Sequence, residues 1–259
     1  MALTTTLTPA PKGTPKRRIP KTDIERFVGA AVAEIRKKDP KSNVNTDLAM
    51  NTIRYENGGP GKDGQYAVQD AAYEPRKKDG IYAWGMCQMF PEFVADAHYY
   101  FTGETLQGQA LMAKWEEVVQ DPQKSVRYMV GGYAAIDRRV KGWSVVKDKV
   151  HDPNHLRAIL SAAYHLSESK VQLMVNAACG EGPFNITKFV ELYEGASARA
   201  ERGKANRRVR DAAGIGGNPN PDFSGGGNEP AQTVNTGPTL DDAKQNVQIP
   251  LSFDVSTST

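Results

Sequence analysis

The sequence predicts a mainly α body between two irregular ends, and three observations carry that prediction. Apolar residues recur at helical spacing through the middle of the chain, cap and stop residues bracket those runs, and glycine and proline concentrate towards the ends. With 259 residues, a hydrophobic share of 39% and a charged share of 24%, the chain can build one sizeable core and is not wholly disordered. Its longest apolar stretches, such as Leu173-Met174-Val175, fall far short of the ~20 residues that span a bilayer. Cys87 and Cys179 are the only cysteines, too few for a disulfide framework; one pair or two free thiols both remain open.

Residues 1–21 carry Pro9, Pro11, Pro15 and Pro20 and five cations between Lys12 and Lys21, the composition of a flexible basic arm. The polar start, with the basic cluster after it, does not read as an export signal. Thr22-Asp23-Ile24-Glu25 has the form of a capping box. Ile24, Phe27, Val28, Ala31 and Ile35 then share one helix face, and Pro40 ends the run. A second helix is expected from Asn45 or Thr46, stopping at Gly58-Gly59-Pro60-Gly61. Residues 62–83 are polar and read as a short hairpin or an ordered loop. Further helices are predicted near 92–100, 105–120, 122–141, 154–166, 169–178 and 186–211, with Asp121-Pro122 and Asp152-Pro153 as cap-then-proline starts.

The body is thus expected over 22–211 and a Gly- and Pro-rich acidic tail over 212–259. From Asp211 onward there are six acids and one lysine. Within the tail, Gly214 to Pro238 cannot bury enough apolar area to offset its ordering entropy, and Val247 to Val255 recovers an apolar alternation that suits strand addition to a partner. The body between the ends is mildly basic. That suits an anionic polymer, nucleic acid or bacterial cell wall, without separating the two.

Two places carry chemistry. Glu56 falls in the last turn of the second helix, just before the glycines. A carboxyl at a helix C-terminus, if buried among apolar neighbours, tends to hold a proton, as a general acid for glycosidic cleavage must. The second place is Tyr82 to Pro91, which includes Trp84-Gly85-Met86-Cys87-Gln88-Met89. Trp84 and Phe90 offer faces on which sugar rings pack, Gln88 offers both a donor and an acceptor, and Gly85 permits close backbone approach.

Together, Glu56-Asn57-Gly58-Gly59 and Ala83-Trp84-Gly85-Met86-Cys87-Gln88-Met89-Phe90-Pro91 resemble the soluble lytic transglycosylase family and its goose-type lysozyme relatives. There a helix-terminal Glu, usually followed by Ser, precedes Gly-Leu-Met-Gln-x-x-Pro. The resemblance implies a lysozyme-like helical fold with a cleft, Glu56 as catalytic acid/base, and Asn57, Trp84, Gly85, Met86, Gln88 and Met89 on the substrate. The family's third block, Ala-Tyr-Asn-Ala-Gly, has two candidates here, Tyr164 in Ala162-Ala163-Tyr164-His165 and Asn176 in Val175-Asn176-Ala177-Ala178-Cys179-Gly180. Gly131-Gly132-Tyr133 resembles the block that precedes it.

Asn57 replaces the usual Ser, and the Glu56–Gly85 gap is longer than the family's. The gap holds Asp63, Asp70, Glu74 and Asp79, any of which as a second carboxylate would support water-activated hydrolysis. What the resemblance implies is a peptidoglycan lytic transglycosylase cutting the MurNAc-GlcNAc β-1,4 bond with one Glu. It needs no metal or other cofactor. Its partner is the glycan strand, with no specific nucleic acid. A phage virion protein acting in the host periplasm during genome entry, docked to other virion proteins through its arm and tail, suits the chain's ends. The alternatives are a hydrolytic muramidase or endolysin, and a catalytically silent structural virion protein. His151 and His155 are read as two hydrated histidines rather than metal ligands, and Lys204 to Arg210 as a solvated basic helix end.

Overall fold

The computed structural model describes residues 5–11, 14–68, 71, 75–76, 80–200 and 207–215. Among these the chain is mainly helical. In order, it runs β1 (Arg18–Pro20), α1 (Lys21–Lys38), α2 (Thr46–Asn57), β2 (Gln65–Ala67), α3 (Pro91–Thr102), α4 (Gly108–Gln120), α5 (Pro122–Gly142), α6 (Ser144–Lys149), α7 (Pro153–His165), α8 (Glu168–Cys179), α9 (Ile186–Ala200) and α10 (Arg208–Ala212). No helix among the described residues is long and apolar enough to cross a membrane.

The basic arm is not free along its described length. Arg18–Pro20 pairs antiparallel with Gln65–Ala67, and Ile19 enters the core. Thr5 and Thr6 donate hydroxyl and amide hydrogens to the Glu116 carboxylate at 2.6–2.7 Å, and Arg17 reaches Gln120 O at 3.0 Å. Composition could not show this, because the partners lie about a hundred residues away in α4. The same strand displaces the expected capping box. α1 begins at Lys21, whose N–H goes to Gly64 O at 2.9 Å, and no side chain caps the helix. Asp23 pairs with Arg26 instead. Ile24, Val28, Ala31, Val32 and Ile35 are buried, and the basic last turn Arg36-Lys37-Lys38 complements the helix dipole.

α5 is the central helix, buried along most of its length. Gly131 and Gly132 let α3 pack closely on it: a Cβ would lie 2.4 Å from the Phe101 ring at the first and 2.2 Å from the Phe93 ring at the second. The fully buried Asp137 of α5 accepts from Asn43 N and Nδ2, each at 3.0 Å, and from Lys141 Nζ at 2.7 Å. It therefore clamps the α1–α2 connection onto α5.

The predicted helices at 122–141, 154–166 and 169–178 are present within a residue or two, and those at 92–100 and 105–120 appear as α3 and α4. Helix α6 was not expected; at six residues it is too short to show a period. The expected 186–211 helix is divided into α9 and α10, with residues 201–206 outside the described set. The tail from 216 onward, including Val247 to Val255, also lies outside it.

Candidate functional site

Asn45 starts α2 by accepting the Leu48 N–H on its side-chain oxygen at 2.9 Å. Leu48, Ala49, Thr52 and Ile53 face the core. The helix stops at Gly58, which takes the left-handed conformation (φ 77°) and donates its N–H to Arg54 O; glycine adopts this conformation without strain. Glu56 is thereby placed in the last turn.

The loop that follows β2 is built to sit against that turn. Trp84 and Met89 exchange backbone hydrogen bonds, and Gln88 N–H returns to Gly85 O at 3.0 Å. Gly85 has φ 78°, and a Cβ there would lie 2.4 Å from Val119 O. No other residue fits without moving backbone. Four loop carbonyls accept from side chains: Gly85 O from Gln88 Nε2 (2.8 Å), Met86 O from Asn57 Nδ2, Cys87 O from the Tyr164 hydroxyl, and Met89 O from Trp115 Nε1 (2.9 Å). Gln88 holds φ 48°, the price of closing so tight a turn with a non-glycine residue.

The structure therefore brings together Glu56, Asn57, Gly85, Gln88 and Tyr164, five of the residues singled out in the sequence. Tyr164 stacks on Tyr133 with ring centroids 4.9 Å apart, and Tyr133 shares a 2.6 Å hydrogen bond with Thr52 of α2. The side chains of Trp84, Met86 and Met89 are buried in the core, not exposed on a cleft wall. The loop is short and needs apolar anchors, so its hydrophobic side chains turn inwards. Asn176 is exposed on α8, which packs on α6, α7 and α9. Of the two candidates for the third motif, only Tyr164 joins the loop.

The apolar surroundings that would favour a protonated Glu56 are not what the structure places there. Arg208 Nη2 of α10 lies 2.8 Å from Glu56 Oε1, the Arg208 side chain being 4% exposed and that of Glu56 18%. Burial works against a charged guanidinium, but the Glu56 carboxylate outweighs it and holds Arg208 protonated above its ordinary range. The Arg208 guanidinium lies 5.4 Å from the centroid of the Tyr55 ring, and Tyr133 and Tyr193 are close enough to act on its charge. Burial pushes the Cys87 thiol up to about 12 and raises the Tyr133 and Tyr164 hydroxyls well above a tyrosine's usual value. All three are therefore neutral at physiological pH.

Arg208 and its neighbour Asp211, which accepts from the Tyr55 hydroxyl at 2.7 Å, are the residues that sequence reasoning missed. The run from Lys204 to Arg210 read as solvated because nothing local distinguishes Arg208 from the basic residues beside it. In the structure Arg208 is buried and Arg210 pairs with Glu194 at 2.8 Å.

Of the acids in the gap, Asp63 pairs with Arg18 on the surface; Asp70, Glu74 and Asp79 lie outside the described residues. Among the described residues no group of three or more His, Cys, Asp or Glu could hold a metal ion. His155 lies 3.9 Å from Asp152 and its ring packs on Phe184. Cys87 and Cys179 are both buried free thiols. A groove of about 890 Å³ lies along α2 from Asn45 to Arg54, lined also by Arg157 of α7 and by Asp211 and Ala212 of α10. No protein family model, curated protein or solved structure matches the chain.

Proposed function

We propose that the chain is a lysozyme-like peptidoglycan lytic transglycosylase in which Glu56 is the acid and then the base. The reading is supported above all by one observation. Glu56-Asn57, the Gly85–Met89 loop and Tyr164, distant in sequence, meet at one point through the Asn57 donation to Met86 O and the Tyr164 donation to Cys87 O.

In this mechanism the Glu56 carboxyl gives its proton to the glycosidic oxygen as the C1–O bond breaks. The resulting carboxylate then takes the proton of the muramoyl C6 hydroxyl, whose oxygen closes on C1 to give a 1,6-anhydro end. No water is consumed, so one carboxyl serves both steps. Tyr164 and Asn57 hold the loop in register with Glu56, and Gln88 fixes the loop's own turn.

Incubation with purified peptidoglycan, followed by mass spectrometry of the soluble products, tests the reading. Anhydro-ended muropeptides from the wild type and none from Glu56→Gln are expected. Reducing ends instead would assign a hydrolytic muramidase. The absence of any product, also from chains in which Arg208 has been removed, would assign a structural protein without activity, a reading that the Glu56–Arg208 ion pair also favours. We place the enzyme in a phage particle, with the acidic tail as its docking segment; detection of the chain in purified virions checks this.

A further inference from the structure

We propose that α10 is a built-in plug, with Arg208 occupying the position beside Glu56 that the sugar bearing the scissile oxygen must take. The proposal rests on the reading of Glu56 as the acid/base. A guanidinium at 2.8 Å from Glu56 Oε1 occupies one of the two carboxyl oxygens that can carry the proton. While it stays there, no glycosidic oxygen can reach that atom.

The way Arg208 is held supports a displaceable group. Its side chain is almost wholly enclosed, next to the Tyr55 ring and within charge range of Tyr133 and Tyr193. Aromatic faces with a carboxylate at one side suit an arginine, and they suit a sugar ring equally well. The helix that delivers it has five residues, far too few to be stable alone. It is docked by Asn51 Nδ2 to Arg208 O at 3.1 Å, by the Tyr55 hydroxyl to Asp211 at 2.7 Å, by Arg210 to Glu194, and by burial of Val209. The attraction within a buried ion pair is largely offset by the desolvation of its two charges. A substrate that supplies its own contacts to Glu56 can therefore displace the arginine at modest cost.

The same short helix lines the 890 Å³ groove with Asp211 and Ala212 and reaches Glu56 with Arg208. Lifting α10 joins the groove to Glu56. The joined cleft then presents Asn45, Asn51, Arg54 and Arg157, donors and acceptors that suit the hydroxyl, acetamido and carboxylate groups of a glycan strand. The resting chain is thus closed, and glycan binding competes with α10 for one place.

The test uses the full chain and two substitutions. Arg208→Met keeps an apolar stem and removes the guanidinium. Asp211→Ala loosens α10 through Tyr55 and leaves both members of the ion pair in place. Binding of tri-N-acetylchitotriose is measured by calorimetry, and release of muropeptides from purified peptidoglycan is measured on the same preparations.

A plug docked roughly ten times as often as it is open lowers apparent affinity about tenfold. Both variants should therefore bind the trisaccharide and cleave the wall on the order of tenfold better than the wild type. Tighter binding with no cleavage by any chain would keep the plug and overturn the transglycosylase. Affinity and cleavage at or below wild type in either folded variant would overturn the plug and make Arg208 a positioning residue. In that case cleavage by the wild type alone would leave the transglycosylase standing.

Discussion

Among the ion-paired carboxylates of this protein, Asp137 and Glu56 are built in opposite ways. Asp137 is wholly buried and its partner Lys141, one helical turn away, is one-third exposed. Asn43 completes the cluster from the α1–α2 connection. At Glu56 the base is the buried member and the carboxylate keeps an opening to solvent. Its partner comes from 152 residues away, on a helix of five residues. A carboxylate enclosed by a lysine one turn away and by the backbone and side-chain N–H groups of Asn43 is a clamp. A carboxylate that stays partly exposed and is covered by a distant arginine is a group whose access is controlled.

The largest effect is expected at Asp137. Asp137→Ala removes the countercharge of Lys141 and the acceptor of two Asn43 donors, at a cost of about 1–3 kcal/mol for each donor left unpaired. Thermal denaturation should show a large fall in midpoint, while cleavage per folded molecule stays near wild type. If that midpoint moves no more than a surface substitution would move it, Asp137 is not a clamp.

Glu56→Gln should reverse the order of effects. Cleavage falls at least ~10²-fold with loss of the proton donor. Stability falls by about 1–3 kcal/mol because Arg208 remains buried without a countercharge. Sequence alone suggests a neutral, isosteric change; the ion pair makes it a destabilising one. A melting curve and a product assay on one preparation give both numbers, and activity above a tenth of wild type would move the chemistry to another residue.

Cys87 adds a third buried acid, this one neutral. Its thiol is raised from 9.0 to about 12, mainly by burial. The folded state thus retains the proton that the unfolded chain loses. Its contribution to stability is complete below pH 9 and is lost as pH rises from 9 towards 12. Denaturant titrations of the wild type and Cys87→Ala across that window should show a shallower alkaline decline in the variant. Iodoacetamide should not label Cys87 in the folded protein at pH 8.

The smallest effect belongs to Asn176. It is exposed on α8 and does not join the loop, so Asn176→Ala should change stability by less than ~0.5 kcal/mol and leave cleavage unaltered. Tyr164→Phe, by contrast, removes the donor to Cys87 O, costs about 1 kcal/mol, and lowers cleavage by loosening the loop. Comparing the two variants in one cleavage assay decides which residue belongs to the third motif.

Much of the fold was legible because its signals are local. Asn45 caps α2 and Gly58 stops it; Asp121-Pro122 and Asp152-Pro153 open α5 and α7. A cap needs a side chain within three residues of the N–H it accepts, and a stop needs a backbone conformation that one residue can supply. The meeting of the α2 end with the Gly85–Met89 loop was an expectation of the family resemblance alone, since the local form of each motif does not say where the other lies. What the sequence could not reveal depends on partners far along the chain. Thr5 and Thr6 find Glu116 in α4, Ile19 finds a strand partner in Tyr66, Trp84 and Met86 turn into the core, and Arg208 finds Glu56. A basic run has the same composition whether it is solvated or buried. Only the tertiary structure decides which of its arginines meets a carboxylate, because the energy that buries a guanidinium comes from a partner that the local sequence does not contain.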